Sequence, residues 1–168
     1  MRRTLTATAL ISTAIIALGI LASAQQPKYG VTVRTSDKSR LEKAKMYSWT
    51  RSQPSPDRTI DQQITAAVDR ELAARGLTKG TAGPNDLVAT YASMTRTDVD
   101  LNTKTQDGQA RPEYPVGSLL VELRDPASQK PAFGVRLDTP ISGDRTKLGP
   151  EIDAAVAAMF EKYPIAKK

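Results

Sequence analysis

The chain of 168 residues contains no cysteine and no histidine. Without cysteine there is no disulfide, no thiol nucleophile and no acylated cysteine of the kind that anchors lipoproteins. Without histidine, histidine-based triads and the commonest metal ligand are also gone. Aromatic residues are scarce, with one tryptophan, two phenylalanines and five tyrosines. None is interleaved with a dense basic run, which argues against nucleic acid as a partner. A phosphate-cradling loop is missing too: Gly80 to Gly83 is expected between a helix and a strand, whereas a P-loop needs a strand before a helix and a lysine in register. This inventory predicts no cofactor and no metal, and leaves stability to an ordinary hydrophobic core.

Carboxylate, lysine, serine and tyrosine chemistry remain. A glycosidase-like pair needs two carboxyls about 5 to 9.5 Å apart across a cleft. Glu113 with Glu122 or Asp125 would have to supply it, against the simpler reading of solvated surface acids. Asp98, Asp100 and Asn102 match the start of a calcium loop, but Thr103 and Gln109 stand where that loop wants glycine and glutamate. On a strand the same spacing places all three on one solvent-facing side, with Val99 and Leu101 on the other. Ser52 and Ser55 have no positioned base beside them.

The amino end is the most informative stretch. Arg2 and Arg3 precede an uncharged run from Thr4 to Ala22, and Ala22-Ser23-Ala24 comes before Gln25. That is the layout of a secretory signal peptide, predicting residues 1–24 as a cleaved leader and 25–168 as a single domain of ordinary size. The competing reading is a retained anchor, since a spanning helix needs about 20 apolar residues; Thr6, Thr8, Ser12, Thr13 and Gly19 dilute the run. Without Arg2 and Arg3 the formal charge of +6 falls by two, so the basic balance belongs to the mature domain. It favours solubility and some affinity for anionic surfaces.

Two segments carry the helical period. In the first, Ile60, Ile64, Ala67, Val68 and Leu72 share a face, with a capping box expected at Thr59 and Gln62 and a left-handed stop at Gly76. The second is predicted to begin at Pro150, to bury Ile152, Ala155, Val156, Met159, Phe160 and Tyr163, and to end at Pro164. Strand alternation marks Tyr29 to Arg34, Met46 to Trp49, Asp86 to Leu101, Val116 to Arg124 and Phe133 to Asp138, the last two joined as a hairpin around Asp125-Pro126. The expectation is an α+β two-layer sandwich in the order ββαβββα. It has a mostly antiparallel sheet of about five strands with both helices packed on one face.

Candidate contacts with a ligand follow from exposure and chemistry. Arg34, Lys38, Arg40, Lys43 and Lys45, interrupted by Asp37 and Glu42, read as a solvated edge and turn. The sharper reading is a contact for phosphate or carboxylate groups of lipid or cell-wall polymers. Trp49 is expected in the core. Tyr47 stays open between core and ligand contact, on the premise that neighbours along a strand point opposite ways. Tyr114 is the only aromatic residue in the long polar stretch Thr103 to Pro115, which reads as a mobile or functional loop.

These segments resemble a bacterial family called domain of unknown function 4136, whose members are often exported lipoproteins. The resemblance rests on Lys45-Met46-Tyr47-Ser48-Trp49, the helix Ile64 to Gly76, the strand Asn85 to Tyr91, the strand and turn Gly117 to Asp125-Pro126, and the closing helix to Tyr163-Pro164. It covers roughly Val31 to Pro164 and implies a fold, with no catalytic residue. This chain departs from it at Phe133 and Gly134, where the family often has tryptophan and arginine, and in lacking the lipobox cysteine. The functional expectation is an exported, soluble, non-enzymatic envelope module that binds a protein, a lipid or a cell-wall component, without a stable membrane anchor. The alternatives are a carboxylate-dependent hydrolase of an envelope glycan and a carrier of a small apolar ligand held between sheet and helices.

Overall fold

The computed structural model of the chain describes residues 30–50, 53–101, 103, 106 and 109–165. Residues 1–29, with the expected leader and Tyr29, and likewise Ser52 and Asn102, lie outside the described residues. Nine elements follow in order: β1 (Gly30–Thr35), α1 (Lys38–Lys43), β2 (Met46–Trp49), α2 (Arg58–Ala73), β3 (Thr78–Lys79), β4 (Leu87–Val99), β5 (Glu113–Arg124), β6 (Pro131–Pro140) and α3 (Leu148–Phe160). The strands form one sheet in the order β1-β6-β5-β4-β2-β3. The α+β expectation thus gains a strand and a helix. Helix α1 carries a single buried apolar residue, Leu41, too little for a helical period to show. Strand β3 is only two residues long.

Pairing is antiparallel from β1 through β6 and β5 to β4. At β2 it becomes parallel on both sides, toward β4 and β3. The parallel pairs follow from chain connection, because α2 carries the chain from the end of β2 back to the start of β3. The alternation read from sequence fixes which face is buried. Tyr47, Leu87, Ala89, Tyr91, Val121, Leu123, Phe133, Val135 and Leu137 meet Ile64, Ala67, Val68 and Leu72 of α2 and Val156, Met159 and Phe160 of α3 in one core. The expected faces of both long helices are therefore the ones that pack.

Their ends differ from expectation. Asp57, not a Thr59–Gln62 box, caps α2: its carboxylate accepts from Thr59 N at 2.9 Å and Ile60 N at 3.4 Å, and these bonds hold its pKa below the ordinary value. Gly76, at φ 82°, provides the left-handed stop as expected. Helix α3 starts at Leu148 and ends at Phe160. Pro150 thus lies within the first turn, where a missing N–H costs nothing.

The long predicted loop is shorter at its far end. Glu113, Tyr114 and Pro115 belong to β5, opposite Val99, Asp98 and Thr97. Strands β4 and β5 have 13 and 12 residues, roughly 40 Å of ribbon, whereas the 16 and 13 residues of α2 and α3 cover only about 20 to 24 Å. The hairpin therefore outruns the helices that cover it.

Candidate functional site

Where the helix layer stops, a groove opens between sheet and helices. It encloses about 570 Å³, within the range of roughly 300 to 1,000 Å³ typical of small-molecule sites. Its floor is Ser93 and Thr95 of β4, Gly117 and Leu119 of β5 and Leu137 and Thr139 of β6. Its walls are Ile60 and Ile64 of α2, Leu148, Ile152 and Ala155 of α3, and Ser55 and Pro56 of the segment leading into α2.

The sequence makes this space by changing side-chain size along a single face. On β4 the positions facing the helix layer run Leu87, Ala89, Tyr91 and then Ser93 and the exposed Thr95; on β5 they run Leu123, Val121, Leu119 and then Gly117. Bulky residues fill the first half, and small ones leave the second half unfilled. A side chain at Gly117 would force Ile141 to move: its Cβ would stand 2.8 Å from Ile141 Cγ2. Glycine there lets Ile141 lie over the strand and form part of the lining.

Two carboxylates of α2 hold the wall in place. Asp69 accepts from Tyr47 OH at 2.7 Å, Trp49 Nε1 at 2.8 Å and Lys79 Nζ at 2.8 Å. Burial raises the pKa of Asp69, but the bonds from Lys79, Tyr47 and Trp49 together outweigh it and leave the carboxyl below its ordinary value. Two turns earlier, Asp61 accepts from Tyr91 OH, whose oxygen also accepts from Ser55 N at 3.1 Å. Burial and that carboxylate push Tyr91 up to about 12. Trp49 stands edge-on to Tyr91 at 6.1 Å between centroids. The strand β2, helix α2 and the groove-lining Ser55 are thus tied into one unit.

This arrangement corrects the reading of Tyr47. Tyr47 and Trp49 are two residues apart on a strand and share a face, so both point at α2. Tyr47 is 1% exposed and belongs to the core, not to an open binding surface.

The basic residues gather elsewhere. Helix α1 crosses the far end of the sheet, beside the turn that joins β5 to β6: Ser36 N and Asp37 N donate to Ala132 O. Arg40 is spent inside the fold, pairing with Asp125 and donating to Pro84 O at 3.0 Å. Lys38 pairs with Glu42 at 3.6 Å. Arg34, Lys43 and Lys45 are exposed and make no ion pair among the described residues. Tyr114 lies at the opposite end, on β5 across from Asp98. The five basic residues, Tyr47 and Tyr114 therefore do not converge on one site.

The acids do not form a catalytic pair. Glu113 and Glu122 are nine residues apart on β5, roughly 30 Å at the rise of a strand, far beyond glycosidase spacing. Glu122 pairs with Arg124, and Asp125 is held by Arg40 and by Ala127 N and Ser128 N. Asp98 pairs with Arg96 at 3.2 Å, and Arg96 reaches on to Asp138 at 3.0 Å, a charged ladder on the face away from the long helices. No cluster of metal-ligating residues occurs among the described residues. No helix among them is long and apolar enough to cross a membrane.

Sequence reasoning raised an apolar site between the layers but named none of its residues. The signal was the loss of side-chain volume at Ser93, Thr95 and Gly117, within strands whose covered face is otherwise bulky.

Among solved structures the fold is similar to a PDZ domain protein from Parabacteroides distasonis. The TM-score is 0.55 and the identity 15%, over 83% of this chain and 36% of that one. It is also similar to a PelC dodecamer from Paraburkholderia phytofirmans, with a TM-score of 0.49 and 14% identity over 83% of this chain and 100% of that one. At such identities the likeness is one of fold alone. A comparison with curated proteins gives no match. The sequence profile of the family described as domain of unknown function (DUF4136) matches residues 31–165, and with the expected strands and helices in place over that span, the chain belongs to this family.

Proposed function

We propose that this protein is an exported, non-enzymatic envelope module that binds an apolar molecule in the groove between its sheet and its two long helices. The observation that carries this reading is the groove itself, about 570 Å³ with mainly apolar walls, built by small residues on an otherwise filled face. Apolar concavity with few polar groups is the usual character of a ligand seat. Export is supported by Arg2, Arg3, the uncharged run and Ala22-Ser23-Ala24. The absence of cysteine supports a domain that is not held by an acylated cysteine. Arg34, Lys43 and Lys45 offer a secondary contact for anionic lipid or cell-wall polymer.

A neutral fluorescent probe, N-phenylnaphthylamine, tests the groove. The mature domain is expected to bind it saturably, and Ser93→Trp, which places an indole on the groove floor, is expected to abolish binding while leaving the circular dichroism spectrum unchanged. Absence of binding to the wild type, or equal binding to the folded variant, overturns the reading. Mass spectrometry of the protein recovered from the periplasm tests export, with Gln25 as the expected first residue.

A further inference from the structure

We infer that the groove selects an amphiphile whose apolar chain ends in a cationic, hydrogen-bond-donating head, an inference that rests on the apolar-binding reading above. Among the described groove-lining residues Glu151 alone carries a charge. It is half-buried in the first turn of α3 and makes no ion pair among the described residues; its carboxylate accepts a hydrogen bond from Ser142 N at 3.4 Å. The cations next to it in sequence are engaged elsewhere, Arg145 with Asp57 at 2.6 Å and Lys147 with Asp144 at 3.8 Å. The groove thus presents one carboxylate that no described cation pairs, set against apolar walls.

In such surroundings charges interact more strongly than in water, so the sign of a ligand's head matters. A fatty-acid carboxylate would lie beside a like charge, whereas a primary ammonium can donate to Glu151 in a charge-assisted bond. The hydroxyls of Ser93 and Thr95 line the same space and add acceptors but no cation. The mature domain stays basic even after Arg2 and Arg3 are subtracted from the formal +6 of the chain, so non-specific attraction favours the opposite order. Preference for a cation is therefore a signature of the groove and not of the surface.

The experiment displaces N-phenylnaphthylamine from the mature domain with dodecylammonium, dodecanol and dodecanoate, each below its aggregation limit. Dodecylammonium is expected to displace at about tenfold lower concentration than dodecanoate, the order of effect of one charge-assisted contact. Glu151→Gln is expected to remove most of that preference and to leave dodecanol unchanged, which also reports that the groove remains folded. Equal or stronger binding of dodecanoate, or a preference that survives Glu151→Gln, overturns the inference while leaving the apolar groove standing. If neither the probe nor any of the three binds, the groove reading falls and this inference with it.

Discussion

The two halves of the covered sheet share strands, register and helices, yet one half is filled and the other is open. In the filled half, Phe133, Phe160 and Tyr163 pack with ring centroids 5.0 to 6.2 Å apart. Arg75 lies over Phe160 and Tyr163 at 5.2 and 5.4 Å and donates to the carbonyl of Phe160 and to Glu71. The C-terminal ends of α2 and α3 are thereby locked together. At their N-terminal ends the helices meet Ser93, Thr95 and Gly117 instead, and the space between layers is left for something else. The same alternating pattern can build a core or a binding site, and the volume of each inward side chain decides which.

The strongest way to break this comparison is in the filled half. Phe160→Ala removes a ring that is fully buried and touches two other rings and Arg75, so a loss of about 3 to 5 kcal/mol is expected. Chemical denaturation measures it, and a loss under about 1 kcal/mol would mean that this end is no better packed than the groove.

Next comes the tie between the halves. Asp69→Ala leaves Tyr47 OH and Trp49 Nε1 without their acceptor, an expected loss of about 2 to 3 kcal/mol. Because folding lowers the pKa of Asp69 from its ordinary 3.8, its ionised form stabilises the fold above that value. That contribution is lost as pH falls through the lower folded value. The wild type should therefore lose more stability between neutral and acid pH than Asp69→Asn does, as read by Trp49 fluorescence. Parallel acid-unfolding curves would show that Asp69 does not act in this way.

A smaller effect, of opposite sign, is expected at the open end. Ser93→Leu buries new apolar surface on the groove floor and should stabilise by about 1 kcal/mol while weakening probe binding. Were the groove already collapsed in solution, the added side chain would overpack it and the midpoint of denaturation would fall.

How much of this was legible in the sequence depends on how many residues carried the signal. The faces of α2 and α3 were readable because five or six apolar residues repeat at the helical period, and the β5–β6 hairpin because alternation flanks Asp125-Pro126. Helix α1 was not, since it depends on Leu41 and an Asp37 cap alone. The Asp57 cap was overlooked because Thr59 and Gln62 satisfy the same motif two residues later. Tyr47 stays open in the sequence until parity is counted over two residues, which puts it on the same face as Trp49. The groove was hidden for a physical reason: periodicity reports where apolar residues recur, whereas a cavity arises where side chains on the covered face are too small to meet across the layers. Only the pairing of Ser93 with Leu119 and of Thr95 with Gly117 brings those positions side by side.

The smallest expected effect on stability separates the basic end from the rest of the molecule. Arg40 is built into the fold through Asp125 and Pro84, but Lys43 and Lys45 are exposed and make no ion pair among the described residues. Replacing both with alanine should change stability by no more than about 0.5 kcal/mol. If this end is a contact for anionic polymers, the same change should still weaken co-sedimentation with vesicles containing anionic lipid. It should do so most at low salt, because exposed charges are screened over about 10 Å at 0.1 M. Unchanged sedimentation would leave the two lysines as solubilising charges and the groove as the binding site to pursue. A loss of vesicle binding with intact probe binding would instead establish two independent surfaces, one apolar and one basic, on a single small fold.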